Sequence, residues 1–147
     1  MFPMQGGLQS EVVVRVRFSE TDPVGVVWHG NYVKYLEDAR EEFGRKWGLS
    51  YRYISECGYF APVFDMHVRF DKSARVDQWL KVICRYRPSK GAKLCFDYTV
   101  TDAEDGTLIA TAETVQLFTT KEGVFEPSVP AFFRQWKQKM ECQEEDG

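Results

Sequence analysis

Apolar and polar positions change period along this chain, and each change marks a new element. Val12, Val14, Val16 and Phe18 alternate with polar residues such as Glu11, Arg15 and Arg17. A period of two, rich in β-branched residues, predicts a strand. The stretch Ser19-Glu20-Thr21-Asp22-Pro23-Val24-Gly25 follows, dense in turn formers. The period then lengthens. Tyr32, Tyr35 or Leu36, Ala39, Phe43 and Trp47 recur every three to four residues, with Lys34, Asp38, Arg40, Glu41, Arg45 and Lys46 mostly between them. That spacing predicts a helix of about four turns with one buried face. Asn31 is placed to cap its start and Gly48 to stop it. A shorter helix is expected from Ser50, ending at Gly58.

Beyond Gly58 the period returns to two, and four strands are expected. Phe64, Met66, Val68 and Phe70 share one face; so do Leu80, Val82, Cys84 and Tyr86, then Leu94, Phe96, Tyr98 and Val100, then Leu108, Ala110 and Ala112. The last two links read as hairpins. Tyr86 opposite Leu94 and Cys84 opposite Phe96 aligns the apolar faces across a Ser89-Lys90-Gly91 turn, and Val100 opposite Leu108 does the same across a loop ending in Asp105-Gly106. Cys84 and Cys95 then lie on opposite faces of the sheet, which excludes a disulfide between them. After Pro130 an amphipathic helix is expected over 130–140, with Phe132, Phe133, Trp136 and Met140 as its stripe. The acidic tail 141–147 should fray. The layout is α+β, with one long helix packed on a five-stranded antiparallel sheet. Such a sheet has two open edges, so oligomerisation is expected.

Composition narrows the classes of function. The 147 residues make a single domain, 1–147, with its core over about 11–120. Hydrophobic residues at 44% and aromatics at 15% exclude a disordered chain and point to apolar pockets or interfaces. The net charge of -3 argues against a nucleic-acid partner. No stretch approaches the roughly 20 apolar residues of a membrane span, and the opening MFPMQGGLQS lacks a secretory signal's basic region and apolar run. A cytoplasmic protein without a membrane partner is expected. Cys57, Cys84, Cys95 and Cys142 show no paired spacing, and His29 and His67 are the only histidines, so no metal site is expected.

The chemistry concentrates between Phe18 and Tyr32, where a carboxylate (Asp22), an imidazole (His29) and an amide (Asn31) precede the buried helix. A helix N-terminus offers unpaired N–H groups and a positive dipole end. With a carboxylate close by, that is an oxyanion site suited to acyl transfer. Gly25 and Gly30 would let the backbone approach a substrate. Each residue also has a plainer reading: Asp22 as a turn residue before Pro23, His29 as a loop histidine, Tyr32 and Tyr35 as core aromatics. There is no GxSxG elbow for a serine nucleophile, no evident partner for a cysteine nucleophile, and no phosphate-binding glycine loop.

The stretch Thr21-Asp22-Pro23-Val24-Gly25-Val26-Val27-Trp28-His29-Gly30-Asn31-Tyr32 closely resembles the hotdog-fold acyl-CoA thioesterases of the 4-hydroxybenzoyl-CoA thioesterase family. So do Tyr35 to Arg40, Gly48 to Tyr51, and Val68-Arg69-Phe70 with Ala74-Arg75. The similarity runs from about Val12 to Phe118. It implies a hotdog fold, a five-stranded sheet wrapped around a long central helix in strand order 1-3-4-5-2, which makes the link from Asp71 to Gln78 a crossover.

The resemblance also implies an activity: hydrolysis of an acyl- or aroyl-CoA to free acid and coenzyme A. Asp22 stands at the family's catalytic carboxylate, as nucleophile or general base. His29 stands where a backbone N–H polarises the thioester carbonyl, with its side chain able to assist. Trp28, Gly30, Asn31 and Tyr32 shape the pocket, which Phe60, Phe64 and Met66 would make apolar. Family members are dimers or tetramers with the acyl tunnel at the subunit interface. Ser89, Lys90 and Lys93 best match the basic rim that holds coenzyme A phosphates, and Arg69, Lys72 and Arg75 form a weaker second patch. Coenzyme A is part of the substrate and no separate cofactor is expected. The same fold serves hydrolases of acyl carrier protein thioesters, non-catalytic acyl-thioester binding modules, and dehydratases, the last of which need a second acid or base opposite His29.

Overall fold

Residues 7–146 are described by the structure, a computed structural model; the opening residues and Gly147 lie outside the described residues. The long helix, α1 (Tyr32–Trp47), forms as its apolar spacing requires, burying Tyr35, Leu36, Ala39 and Phe43. Gly48 ends it with φ 82°, and its N–H bonds to Gly44 O at 2.9 Å, a left-handed stop that costs glycine no Cβ clash. Asn31 does not cap the start. It is itself helical, the last residue of a 3-10 turn over His29–Asn31. Its amide turns back instead to donate to Glu20 O at 2.8 Å. Ser50 caps α2 (Tyr51–Glu56), as the sequence suggests, by accepting from Tyr53 N at 3.1 Å.

The strands are β1 (Gln9–Arg15), β2 (Tyr59–Phe60), β3 (Val63–Phe70), β4 (Trp79–Arg87), β5 (Lys93–Asp102), β6 (Leu108–Leu117) and β7 (Thr119–Thr120). The main sheet is antiparallel in order β1-β4-β5-β6-β3, and β2 pairs with β7 in a second, two-stranded sheet. Counting main-sheet strands along the chain, this is 1-3-4-5-2, and the link after β3 crosses over as expected.

The expected faces hold, but two registers shift. Tyr86 pairs with Phe96 and Cys84 with Tyr98, two residues along from the expected partners. The connection is longer than three residues because Pro88 has no N–H for the ladder, and Ser89 Oγ closes it on Lys93 O at 3.2 Å. Val100 pairs with Ala110, not Leu108, because a bulge follows Val100. A shift of two keeps every side chain on its face, so Cys84 and Cys95 still lie on opposite sides. Cys57, Cys84 and Cys95 are free thiols; the side chain of Cys142 lies outside those described.

The core sits between α1 and the sheet, with Phe43 against Phe96 at 4.9 Å between ring centroids. Burying such a side chain contributes about 1.5–3 kcal/mol. Phe18, expected on the first strand's apolar face, instead sits in a 3-10 turn and is 82% exposed. Helix α3 (Ala131–Asp146) packs Phe133, Trp136 and Met140 onto the core. It runs through the expected frayed tail to Asp146, since nothing between Glu141 and Asp146 breaks a helix. Its Trp136 Nε1 donates to Trp47 O at 2.7 Å, tying it to the far end of α1. No helix among the described residues is long and apolar enough to cross a membrane.

Candidate active site

Asp22 is fixed by its own turn. Its Oδ1 accepts from Val24 N at 2.9 Å and Val26 N at 3.4 Å, and its N–H bonds to Val26 O at 2.8 Å. Gly25 supplies the positive φ of 90° that this turn requires. The returning arm is pinned to the crossover, Val27 N to Ala74 O at 2.8 Å, with Val26 bridged to Arg75. These ties bring Asp22, His29, Tyr32, Phe70, Lys72 and Ser73 around one cavity of about 300 Å³ at the start of α1.

The 3-10 turn over His29–Asn31 opens onto this cavity. Asn31 N–H is already bonded to Trp28 O at 2.8 Å. The N–H groups of His29 and Gly30 come before it, at the first turn, where a helix has no intrahelical acceptor to offer. The His29 ring leans on Phe70, centroids 6.3 Å apart, and on Trp28 at 4.9 Å. Tyr32 is buried, lines the cavity, accepts from Ala74 N at 3.3 Å, and burial pushes its hydroxyl pKa up, which keeps it protonated. A carboxylate and an imidazole thus line one cavity at the start of α1, and a carboxylate beside a helix start is the set needed to activate a nucleophile and hold an oxyanion.

Glu20 was not signalled by the sequence pattern, yet it holds this loop together. Its Oε1 accepts from Tyr35 OH and from Arg17 N, both at 2.9 Å, and its carbonyl accepts from Trp28 N at 3.0 Å and Asn31 Nδ2 at 2.8 Å. Asp71 was missed as well. It lines the cavity as a second carboxylate, with Arg69 at 3.6 Å from it.

The other expected residues divide. Gly25, Trp28, Gly30 and Asn31 do not line the cavity. Trp28 lies across Gly30, where any Cβ would collide with its ring, and Asn31 positions the turn. Phe60 lines a separate, apolar cleft of about 920 Å³ together with Arg40, Tyr51, Ile54, Pro62 and Val63, whereas Phe64 is exposed on β3 and lines neither. Met66 lines neither. Ser89, Lys90 and Lys93 are not brought to Asp22. They sit where β4 turns into β5, at the end of the sheet where Trp47 Nε1 meets Gln9 O and Lys137 Nζ donates to Ser89 O at 2.6 Å. The antiparallel strands carry that turn to the end opposite the start of α1. Of the two basic patches, only the second borders the cavity within one chain: Lys72 lines it, Arg69 pairs with its Asp71, and Arg75 is bridged to its Val26.

The model of the thioesterase-like superfamily matches residues 16–137. The chain belongs to this superfamily. Among its relatives, the acyl-CoA thioester hydrolase YbgC of Escherichia coli is 33% identical over 100 residues, 68% of this chain and 74% of that protein. A putative esterase of Synechocystis is 38% identical over 68 residues, 46% of this chain but only 41% of that protein's length. The solved DHNA-CoA thioesterase of Staphylococcus aureus superimposes with a TM-score of 0.82 at 26% identity, covering 95% of each chain. The hotdog fold of the superfamily is therefore the fold of this chain.

Proposed function

We propose that this chain is a thioester hydrolase cleaving an acyl- or aroyl-CoA into the free acid and coenzyme A. The observation that carries the reading is the meeting of Asp22, His29 and the opening of α1 in one cavity, in a chain whose relative of 74% coverage is an acyl-CoA thioester hydrolase. The carbonyl oxygen takes hydrogen bonds from the N–H groups of His29 and Gly30. If Asp22 acts as base, it takes a proton from the attacking water, the carbon–sulfur bond breaks, and that proton passes to the departing thiolate. If Asp22 attacks the carbonyl carbon, coenzyme A leaves as thiolate, and water then hydrolyses the mixed anhydride on Asp22, freeing the acid and supplying the thiol's proton. Lys72 and Arg75 lie where they would meet its phosphates.

The site is completed by a second copy of the chain. β3 ends the main sheet with its outer edge unpaired among the described residues, and Val63, Phe64 and Phe70 along it are exposed. An apolar exposed edge is a template for strand pairing. Two-fold antiparallel pairing of β3 with its copy sets Val63 of one chain beside Phe70 of the other. The apolar cleft of one protomer, lined by Val63, then abuts the Asp22 cavity of the next, lined by Phe70. Light scattering should give a dimer or a multiple of it, and a monomer that turns over substrate would remove this arrangement.

The deciding experiment is thiol release from a panel of aliphatic, benzoyl and hydroxybenzoyl coenzyme A esters, with acyl carrier protein thioesters alongside. Asp22→Asn should lose at least about two decades of turnover while folding and binding substrate. Near-wild-type turnover in that variant would remove Asp22 from the mechanism, and no turnover on any thioester would leave only a binding role.

A further inference from the structure

The apolar cleft carries one feature that hydrolysis itself does not use. Arg40, on the third turn of α1, lines it with a side chain only 8% exposed. A guanidinium taken out of water is costly unless its donors are fully engaged. Here they are not. The one carboxylate near it is Glu37, at 3.6 Å and itself 59% exposed, beyond the 2.7–2.9 Å of a charge-assisted hydrogen bond. Tyr51 lies under the guanidinium, its ring centroid 5.2 Å away, and Arg40 Nε is buried with no hydrogen-bond partner. Ile54, Phe60, Ala61, Pro62 and Val63 make most of the remaining wall, with Ser55, Thr119 and the solvent-exposed Arg52, which is paired with Glu56 at 3.2 Å, at its margin.

A buried, under-engaged cation in an apolar cleft is a selector for oxygen anions. We propose that Arg40 reads the far end of the acyl group, so that the preferred substrates are thioesters whose acyl group carries an anionic oxygen distal to the carbonyl, a carboxylate or a phenolate. This rests on the thioesterase reading and on the cleft serving as the acyl pocket. Glu37 occupies one edge of the guanidinium in the empty cleft and, being half in solvent, can swing away when an anion arrives. Arginine suits the task because its planar fork stays charged and can meet a two-oxygen group with paired bonds.

The test compares kcat/KM within matched pairs of coenzyme A esters, glutaryl against valeryl and 4-hydroxybenzoyl against benzoyl, for the wild type, Arg40→Met and Arg40→Lys. Wild type should favour the oxygen-bearing member of at least one pair by tenfold or more. In Arg40→Met that ratio should fall by about tenfold to a hundredfold, the span of one charged hydrogen bond. Arg40→Lys should recover part of it. The responding pair tells carboxylate from phenolate. A wild type indifferent within both pairs, or an Arg40→Met enzyme with an unchanged ratio, overturns the proposal and leaves the thioesterase reading standing. Should no thioester turn over, calorimetric titration with the same intact coenzyme A esters, in which only the distal oxygen differs within a pair, decides separately. Tighter binding of the oxygen-bearing esters that disappears in Arg40→Met supports the proposal, and equal binding overturns it. Thermal melting guards against misfolding, since replacing an under-paired buried charge with an apolar side chain of similar volume is often neutral or stabilising.

Discussion

Removing the carboxylate of Glu20 should loosen both the fold and the catalytic loop, and the size of the effect follows from its partners. Glu20 is 9% exposed and Tyr35 2%, so Glu20→Ala strands the Tyr35 hydroxyl where water does not replace the lost acceptor. A buried polar group left unsatisfied costs about 1–3 kcal/mol, and the bond to the Arg17 N–H adds about 0.5–1.5 kcal/mol. Glu20→Ala should therefore destabilise by about 2–4 kcal/mol, while Glu20→Gln, which keeps an oxygen acceptor, should lose about 1 kcal/mol. Urea unfolding of the wild type, Glu20→Ala, Tyr35→Phe and the double variant forms a cycle that isolates the pair, with an expected coupling of about 1.5–3 kcal/mol for a bond to a carboxylate. The carbonyl of Glu20 also holds Trp28 and Asn31, so displacing residue 20 shifts the turn that begins with His29. A misplacement of about 1 Å can cost on the order of 10²-fold in rate, and turnover of Glu20→Ala should fall by at least about tenfold under conditions where the variant is fully folded. A coupling below about 0.5 kcal/mol, or full activity in Glu20→Ala, would refute the role given to this residue.

His29→Ala keeps the backbone N–H and should cost about tenfold in kcat, less than Asp22→Asn, whose loss is set by general-base or nucleophilic chemistry; equal losses would make the imidazole a principal player. Lys72→Ala with Arg75→Ala should raise KM for coenzyme A esters and flatten its dependence on salt, and Lys90→Ala with Lys93→Ala should do so only if the opposite rim of a second copy reaches the phosphates; steady-state kinetics at two ionic strengths separates them. Gly44→Ala places a Cβ 2.6 Å from Leu49 O, and since that neighbour is backbone a loss of about 1–3 kcal/mol is expected in urea unfolding.

The elements were legible in the sequence because each presents a clean period, and the exceptions have definite causes. Face assignments survived because a strand's period of two fixes which side a residue takes. It does not fix the offset between strands, which is why β4 and β5 align two residues from the expected register. β2 and β7, two residues each, are too short to show any period. The crossover between β3 and β4 followed from family resemblance alone, since alternation says nothing about which strand lies beside which. The acidic tail is expected to fray because it is a chain terminus, whereas α3 continues to Asp146.

The site divides on the same line. Asp22 and His29 were legible because one continuous loop and helix start carries both, so local turn chemistry and helix-end electrostatics sufficed. Asp71 and Lys72 reach the same cavity only through the crossover, and no local signal marks them. Arg40 is a third case. From the sequence it counts among the polar residues between the apolar ones, yet it stands four residues after Leu36, a core spacing, and it is buried. Glu20 has no such mark, because a turn tolerates a carboxylate anywhere. Charges that break an apolar period are thus a sequence-level pointer to buried polar work, whereas charges in turns reveal theirs only when the structure shows what they hold. The two kinds meet on α1: Tyr35 carries the bond to Glu20 that sets the catalytic loop, and little more than one turn later Arg40 faces the cleft. A single rigid helix therefore fixes the spacing between the loop that would perform the chemistry and the cation that would select the acyl group, and the proposed two-fold pairing at β3 would bring the loop of one chain to the cleft of the other.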